Sequence, residues 1–211
     1  MNDLSQPVVS RTATDVRRVG YPIEALFTQR WSPRSFDRAP MPVDDLMTIF
    51  EAARWAPSAY NVQPWRFVYA MRDDAYWQAF IGLLDPFNAS WAANASALVF
   101  ILSDRFSGDE TKESLRPFPS HSFDAGAAWA QLALQATAMG YQAHAMGGIH
   151  HDRVREALGV PERFKVEIGV AVGTQACVEK LPAELQQREV PSERKALSEI
   201  VSAGRLVLPN D

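Results

Sequence analysis

The chain has 211 residues, 47% hydrophobic and 22% charged, which is enough for one sizeable core and argues against disorder. Its formal charge is 21 − 25 = −4, and that mild acidity argues against a nucleic-acid partner, which needs clustered Lys and Arg to displace counterions. The single cysteine, Cys177, excludes an intramolecular disulfide and fits a reducing compartment. Apolar runs such as 97–102 are far too short to span a bilayer, so the expectation is a cytoplasmic protein with no membrane partner.

Residues 1–20 are polar and mixed in charge and read as a flexible N-terminal tail. No Gly/Ser linker or repeat divides the remainder, so 21–211 is expected to be a single domain with an extended C-terminal arm. A short helix over 22–29 would put Ile23, Leu26 and Phe27 on one face. Arg30 to Phe36 has no helical spacing and carries Pro33. From Pro42 the pattern is a helix, with Asp44 and Asp45 in the first turn and a stripe of Leu46, Ile49, Phe50 and Ala53. Pro57 stops it.

Residues 65–70 alternate like a strand, and 73–84 read as a second helix. The continuous apolar run 97–102 suggests a strand covered on both faces. Residues 104–120 are polar, carry Gly108, Pro117 and Pro119, and read as a long loop. The strongest helix spans 122–139, with Ser122 or Asp124 as cap and Gly140 as stop. An extended segment over 141–146, a short helix over 152–158 and a core strand over 164–172 follow. Helices and strands do not alternate regularly enough for a doubly wound sheet, so the class is α+β.

Three clusters carry candidate chemistry. In an extended Arg30–Phe36, the side chains of Arg30, Ser32 and Arg34 share one face. Two guanidinium groups flanking a hydroxyl suit a phosphate or the edge of an electron-rich ring, although from spacing alone an exposed basic loop is the plainer reading. Pro57, Ser58 and Asn61 combine small side chains with donors near a ligand-accessible backbone, or form an ordinary helix-ending turn. Gly147 and Gly148 let backbone N–H groups approach a flat ligand, or make a connection. Neither a dinucleotide fingerprint nor a P-loop is present. His150, His151 and Asp152 read as a polar helix start rather than a metal cluster. His121 and His144 stand isolated.

The order of these motifs resembles the nitroreductase family over about residues 22–205. The shared pattern runs from Arg30-Trp31-Ser32-Pro33-Arg34-Ser35-Phe36 through an amphipathic helix to Ala56-Pro57-Ser58-Ala59-Tyr60-Asn61-Val62-Gln63-Pro64-Trp65. It continues through a central Ala/Leu helix, Gly147-Gly148, a strand ending at Val172-Gly173, and a basic C-terminal stretch. The resemblance implies an α/β/α sandwich with a mostly antiparallel sheet, and an intertwined homodimer with FMN at the interface. It also implies NAD(P)H as reductant and nitroaromatics or quinones as acceptors in a ping-pong reaction. Alternatives on the same fold are reductive dehalogenation, enone reduction, flavin breakdown, or flavin binding without catalysis.

Carried over by position, Arg30 and Arg194, with Lys195 beside it, would hold the FMN phosphate, and Ser32 and Arg34 would face the ribityl chain and pyrimidine edge. Pro57, Ser58 and Asn61 would come from the partner subunit. Gly147 and Gly148 would offer N–H groups near the ring, with Met146 packing beside them, and Asn88 would face the pyrimidine edge. No side-chain acid or base is expected to be catalytic. Trp31 and Trp91 depart from the family pattern.

Overall fold

The computed structural model describes residues 17–109 and 114–207. Its centre is a four-stranded sheet of order β1-β2-β6-β5 with every neighbouring pair antiparallel. The strands are β1 (Trp65–Met71), β2 (Ala97–Asp104), β5 (Gln142–Met146) and β6 (Phe164–Gly173). A small hairpin pairs β3 (Phe106–Ser107) with β4 (Arg116–Pro117). It occupies part of the stretch expected to be a loop, and residues 110–113 lie outside the described residues.

β2 is buried along its whole length, which is why its sequence is continuously apolar rather than alternating. Its side chains still divide by parity. Leu98, Phe100 and Leu102 enter one core with Trp77, Phe80, Trp91 and Val154. Ala97, Val99 and Ile101 enter the other with Leu46, Ile49, Leu132 and Ala136. The first core is covered by α3 (Trp77–Ile81), α4 (Pro86–Ala92) and α6 (His151–Ala157); the second by α2 (Val43–Arg54) and α5 (His121–Ala138). Two helical layers on one antiparallel sheet make the expected α+β sandwich.

α2 forms as its sequence dictates. Pro42 supplies a preset φ of −58° at the N-cap, Asp44 and Asp45 face the positive end of the helix dipole, and Leu46, Ile49 and Ala53 are fully buried. Burying each of the two larger side chains contributes about 1.5–3 kcal/mol. α5 begins one residue earlier than expected, with Ser120 as N-cap and no side-chain cap. Both expected caps are used elsewhere: Ser122 Oγ donates to Glu167 Oε1 at 2.7 Å, and Asp124 turns toward Ala59. The helix ends at Ala138, and Gly140 then takes φ +84°, the left-handed geometry of a stop.

One expectation fails for a local reason, and one strand carries an irregularity its sequence does not announce. The helix expected over 73–84 shrinks to α3, because Asp74 accepts N–H bonds from Met71 (2.8 Å) and Tyr76 (2.7 Å) and holds a turn instead. α4 then starts afresh where Asp85 Oδ1 accepts from Asn88 N at 2.7 Å and Pro86 fills the first turn. In β6 the register slips between Ile101 and Leu102 of its partner strand, which oppose Ile168 and Val166. This bulge puts Val166 in the first core while Val170 and Val172 lie in the second.

After β6 come a 3-10 turn (Val178–Lys180), α7 (Ala183–Gln186) and α8 (Leu197–Ile200); α1 (Ala25–Gln29) is the first helix. Of the expected tail, residues 1–16 lie outside the described residues, whereas Arg17 is hydrogen-bonded to the rest of the chain. Among the described residues no helix is long and apolar enough to cross a membrane.

Candidate functional site

Arg30 to Phe36 is extended, and its burial alternates. Trp31, Pro33 and Ser35 are buried, while Arg30, Ser32 and Arg34 are partly exposed. Arg30 Nη1 donates to Ser32 Oγ at 3.3 Å, so the two groups lie side by side as the spacing predicts. The segment is fixed from three directions. Residues 35–37 run against 174–176, with Ala176 N donating to Ser35 O (3.0 Å) and Asp37 N donating to Thr174 O (3.2 Å). From β5, His144 Nδ1 donates to Pro33 O at 2.9 Å. From the C-terminal region, Glu189 Oε1 accepts both Arg34 N (2.7 Å) and Ser35 N (2.8 Å).

These contacts set the charges. Burial pushes the His144 pKa down to about 4, against the opposing effect of its bond to Pro33 O and with help from Arg34. His144 is therefore neutral, with its proton on Nδ1 and its ring 4.6 Å from that of Trp91, itself stacked on Phe36. Burial raises the pKa of Glu189, offset by the two N–H donors and by Arg34. Burial lowers the pKa of Arg34, and Arg188 adds to the effect. Arg34 Nε and Glu189 Oε2 are buried without a hydrogen-bond partner. Buried polar atoms are normally paired, so the guanidinium edge of Arg34 suits a further acceptor.

Arg30 and Arg194 come together from distant parts of the chain. Burial lowers the pKa of Arg30, and the next cause is repulsion from Arg194. Arg194 itself is exposed and, among the described residues, bonds only to its own neighbourhood, through Ser192 O, Ser192 Oγ and Glu193 O. Among the described residues no carboxylate forms an ion pair with either arginine. Lys195, also exposed, lines the same cavity of about 640 Å³ as Arg194. Converging cations without a counter-charge, beside a hydroxyl, fit a phosphate-type anion.

Gly147 and Gly148 follow β5, and the pair is not equivalent. A Cβ on Gly147 would meet open space, whereas one on Gly148 would collide with Asp85 and Asn88. Gly148 O accepts Asp85 N (3.1 Å) and Asn88 Nδ2 (3.0 Å), which binds the start of α4 to the end of β5. Asn88 is thus brought to the glycine pair. Met146 is 3% exposed and belongs to the first core.

Pro57, Ser58 and Asn61 lie in a loop held to α5 rather than to Arg30–Phe36. Ala59 N donates to the buried Asp124 Oδ2 at 3.1 Å, and Ser58 Oγ accepts from Gln63 N at 3.0 Å. Tyr60, Asn61 and Gln63 all have positive φ (52°, 55° and 52°), a strained sequence of conformations for residues with side chains. Tyr60 is 98% exposed. Among the described residues no hydrogen bond joins this loop to Arg30–Phe36 within one protomer. The tryptophans divide: Trp31, Trp65 and Trp91 are buried, while Trp55 is exposed and donates to Glu51. His150 is the N-cap of α6, and among the described residues no group of three potential metal ligands occurs.

The sequence reading gave no role to Glu189, His144 or Asp85, and took Asp124 for a helix cap when it holds Ala59. Only Asp85 had a local signal, the Asp-Pro pair that starts a helix.

Comparison with known proteins agrees with this architecture. Residues 27–174 match the model of the nitroreductase family, and the chain belongs to that family. A solved structure described as an oxidoreductase containing FMN is 50% identical, with a TM-score of 0.88 over 91% of this chain and 96% of that one. An enone reductase of CLA biosynthesis from Lactiplantibacillus plantarum is 31% identical over 70% of this chain and 82% of its own length. An NADH dehydrogenase from Thermus thermophilus is 30% identical over 82% of this chain and 91% of its own length.

Proposed function

We propose that this protein is an FMN-dependent oxidoreductase that takes hydride from NAD(P)H and reduces small electron-poor acceptors, working as a homodimer. The observation that carries the reading is the convergence of Arg194 on Arg30, itself beside Ser32, with no carboxylate in an ion pair with either arginine among the described residues. A phosphate monoester supplies the missing charge. The FMN-containing structure at 50% identity supports the choice of anion.

In this reading Arg30, Arg194 and Lys195 hold the phosphate, and Ser32 hydrogen-bonds the sugar-alcohol chain. Arg34 places its unpartnered Nε and its charge at the pyrimidine edge, where a guanidinium favours the electron-rich, reduced form. Gly148, held by Asp85 and Asn88, brings backbone to the ring, and Met146 and Asn88 back it. FMN held by these residues would supply hydride chemistry between reduced nicotinamide and the acceptor, each visiting the same site in turn. The protein residues bind, orient and set charge, and none serves as an acid or base.

Pro57, Ser58 and Asn61 reach the cofactor of the second copy. Support comes from the fixed, outward-facing loop and from exposed apolar residues on the terminal segments, among them Tyr21, Ile23, Phe27, Leu197, Ile200 and Val201. A patch of that kind marks an interface. A second reading for the acceptor is an enone, favoured by the relative named as an enone reductase.

The test is FMN binding by the Arg30→Ala variant. Removing one charged donor from a phosphate weakens binding by about 1.5–3 kcal/mol, or roughly 10- to 100-fold. Unchanged affinity rejects the phosphate site.

A further inference from the structure

Arg17 lies outside the segments that the family pattern assigns, in a stretch that reads as tail. Its guanidinium is nevertheless bound to main-chain carbonyls on both sides of the anion site. Nη1 donates to Thr28 O (2.9 Å) and Arg30 O (2.6 Å), and Nε donates to Ser192 O (3.1 Å). Thr28 lies in the last turn of α1, where free carbonyls favour a cation, and Ser192 precedes Arg194 by two residues. Arg17 therefore joins the backbone that carries Arg30 to the backbone that carries Arg194.

Its charge matters as well as its reach. Burial lowers the pKa of Arg17, followed by repulsion from Arg194 and then from Arg30. Three guanidinium groups thus share one neighbourhood, and among the described residues no carboxylate pairs with Arg17, Arg30 or Arg194. Nη2 of Arg17 makes no hydrogen bond among the described residues. The cavity of about 640 Å³ that holds Arg194 and Lys195 on its wall also has Arg17 there, together with Tyr21, Phe27 and one carboxylate, Glu193, that forms no ion pair with them among the described residues. Repulsion among three cations becomes attraction when a dianion sits between them.

We propose that Arg17 is a third cationic ligand of the phosphate monoester and clamps the Arg194 segment over it. This rests on the FMN reading, and the test separates the two. The full chain, stripped of cofactor, is titrated with FMN and with riboflavin, which lacks the phosphate, while flavin fluorescence is followed. The Arg17→Ala variant is expected to bind FMN about 10- to 100-fold more weakly, with riboflavin affinity unchanged. Wild-type FMN affinity in the variant overturns the proposal and leaves the FMN reading standing. Equal loss for both flavins makes Arg17 a fold contact only and also overturns it. A wild-type chain that binds no FMN removes the reading and the proposal together. If Arg17→Ala does not fold, Arg17→Lys decides: it keeps the charge but not the fork, so FMN binding is expected between the two limits, and wild-type affinity overturns the clamp.

Discussion

Acid should loosen this site through His144, and the size of the effect follows from its surroundings. The imidazole is buried against Trp91, donates from Nδ1 to Pro33 O, and faces the charges of Arg34 and Arg30, so its pKa falls from 6.5 to about 4. In the unfolded chain it titrates normally. Between those two values the unfolded state holds a proton that the folded state lacks. The stabilising preference for neutral His144 is thus complete above pH 6.5 and lost as pH falls toward 4. The loss is up to about 1.4 kcal/mol per pH unit, or roughly 3 kcal/mol across the window. Urea unfolding from pH 7.5 to pH 4, at fixed protein and flavin concentrations, measures it against His144→Gln. Other groups titrate equally in both proteins, so the difference isolates the imidazole. The variant is expected to be less stable at pH 7.5, because its bond to Pro33 O is lost or weakened, and the difference should shift by about 3 kcal/mol in the variant's favour on acidification, enough to cancel or reverse it. Parallel stability curves would refute the account of His144 as a buried neutral pin.

Asp124→Ala removes the acceptor of Ala59 N in a loop with three positive φ angles; we expect a loss of about 1–3 kcal/mol in urea unfolding together with weaker FMN binding, and no change in either would show that the loop holds its shape unaided. Gly148→Ala drives a methyl group into Asp85 and Asn88 and should cost about 0.5–2 kcal/mol through the disturbed cap of α4. Gly147→Ala is the control and should melt like the wild type, because its Cβ meets no atom. Equal melting temperatures for the two variants would contradict that distinction.

What was legible in the sequence was local. Alternation alone placed Arg30, Ser32 and Arg34 on one face, and the apolar stripe with Pro42 and two acids placed α2. What was not legible depends on partners far away in the chain. His144 is an unremarkable strand residue until Pro33, 111 positions earlier, offers a carbonyl. Glu189 looks like one more surface acid until it meets the amides of Arg34 and Ser35. The β6 bulge leaves no trace, because Val166, Ile168, Val170 and Val172 keep a regular period while the strand itself slips. Asp74 misled in the other direction: its side chain competes with the helix that the apolar spacing favours.

The carboxylate of Glu189 lies 155 positions along the chain from the Arg34 amide it receives. During synthesis residues 34 and 35 emerge long before Glu189, and their amides wait for the acceptor that fixes them. Proteolytic trimming from the C-terminal side would free the Arg34 and Ser35 amides before it reached the sheet, whose last strand ends at Gly173.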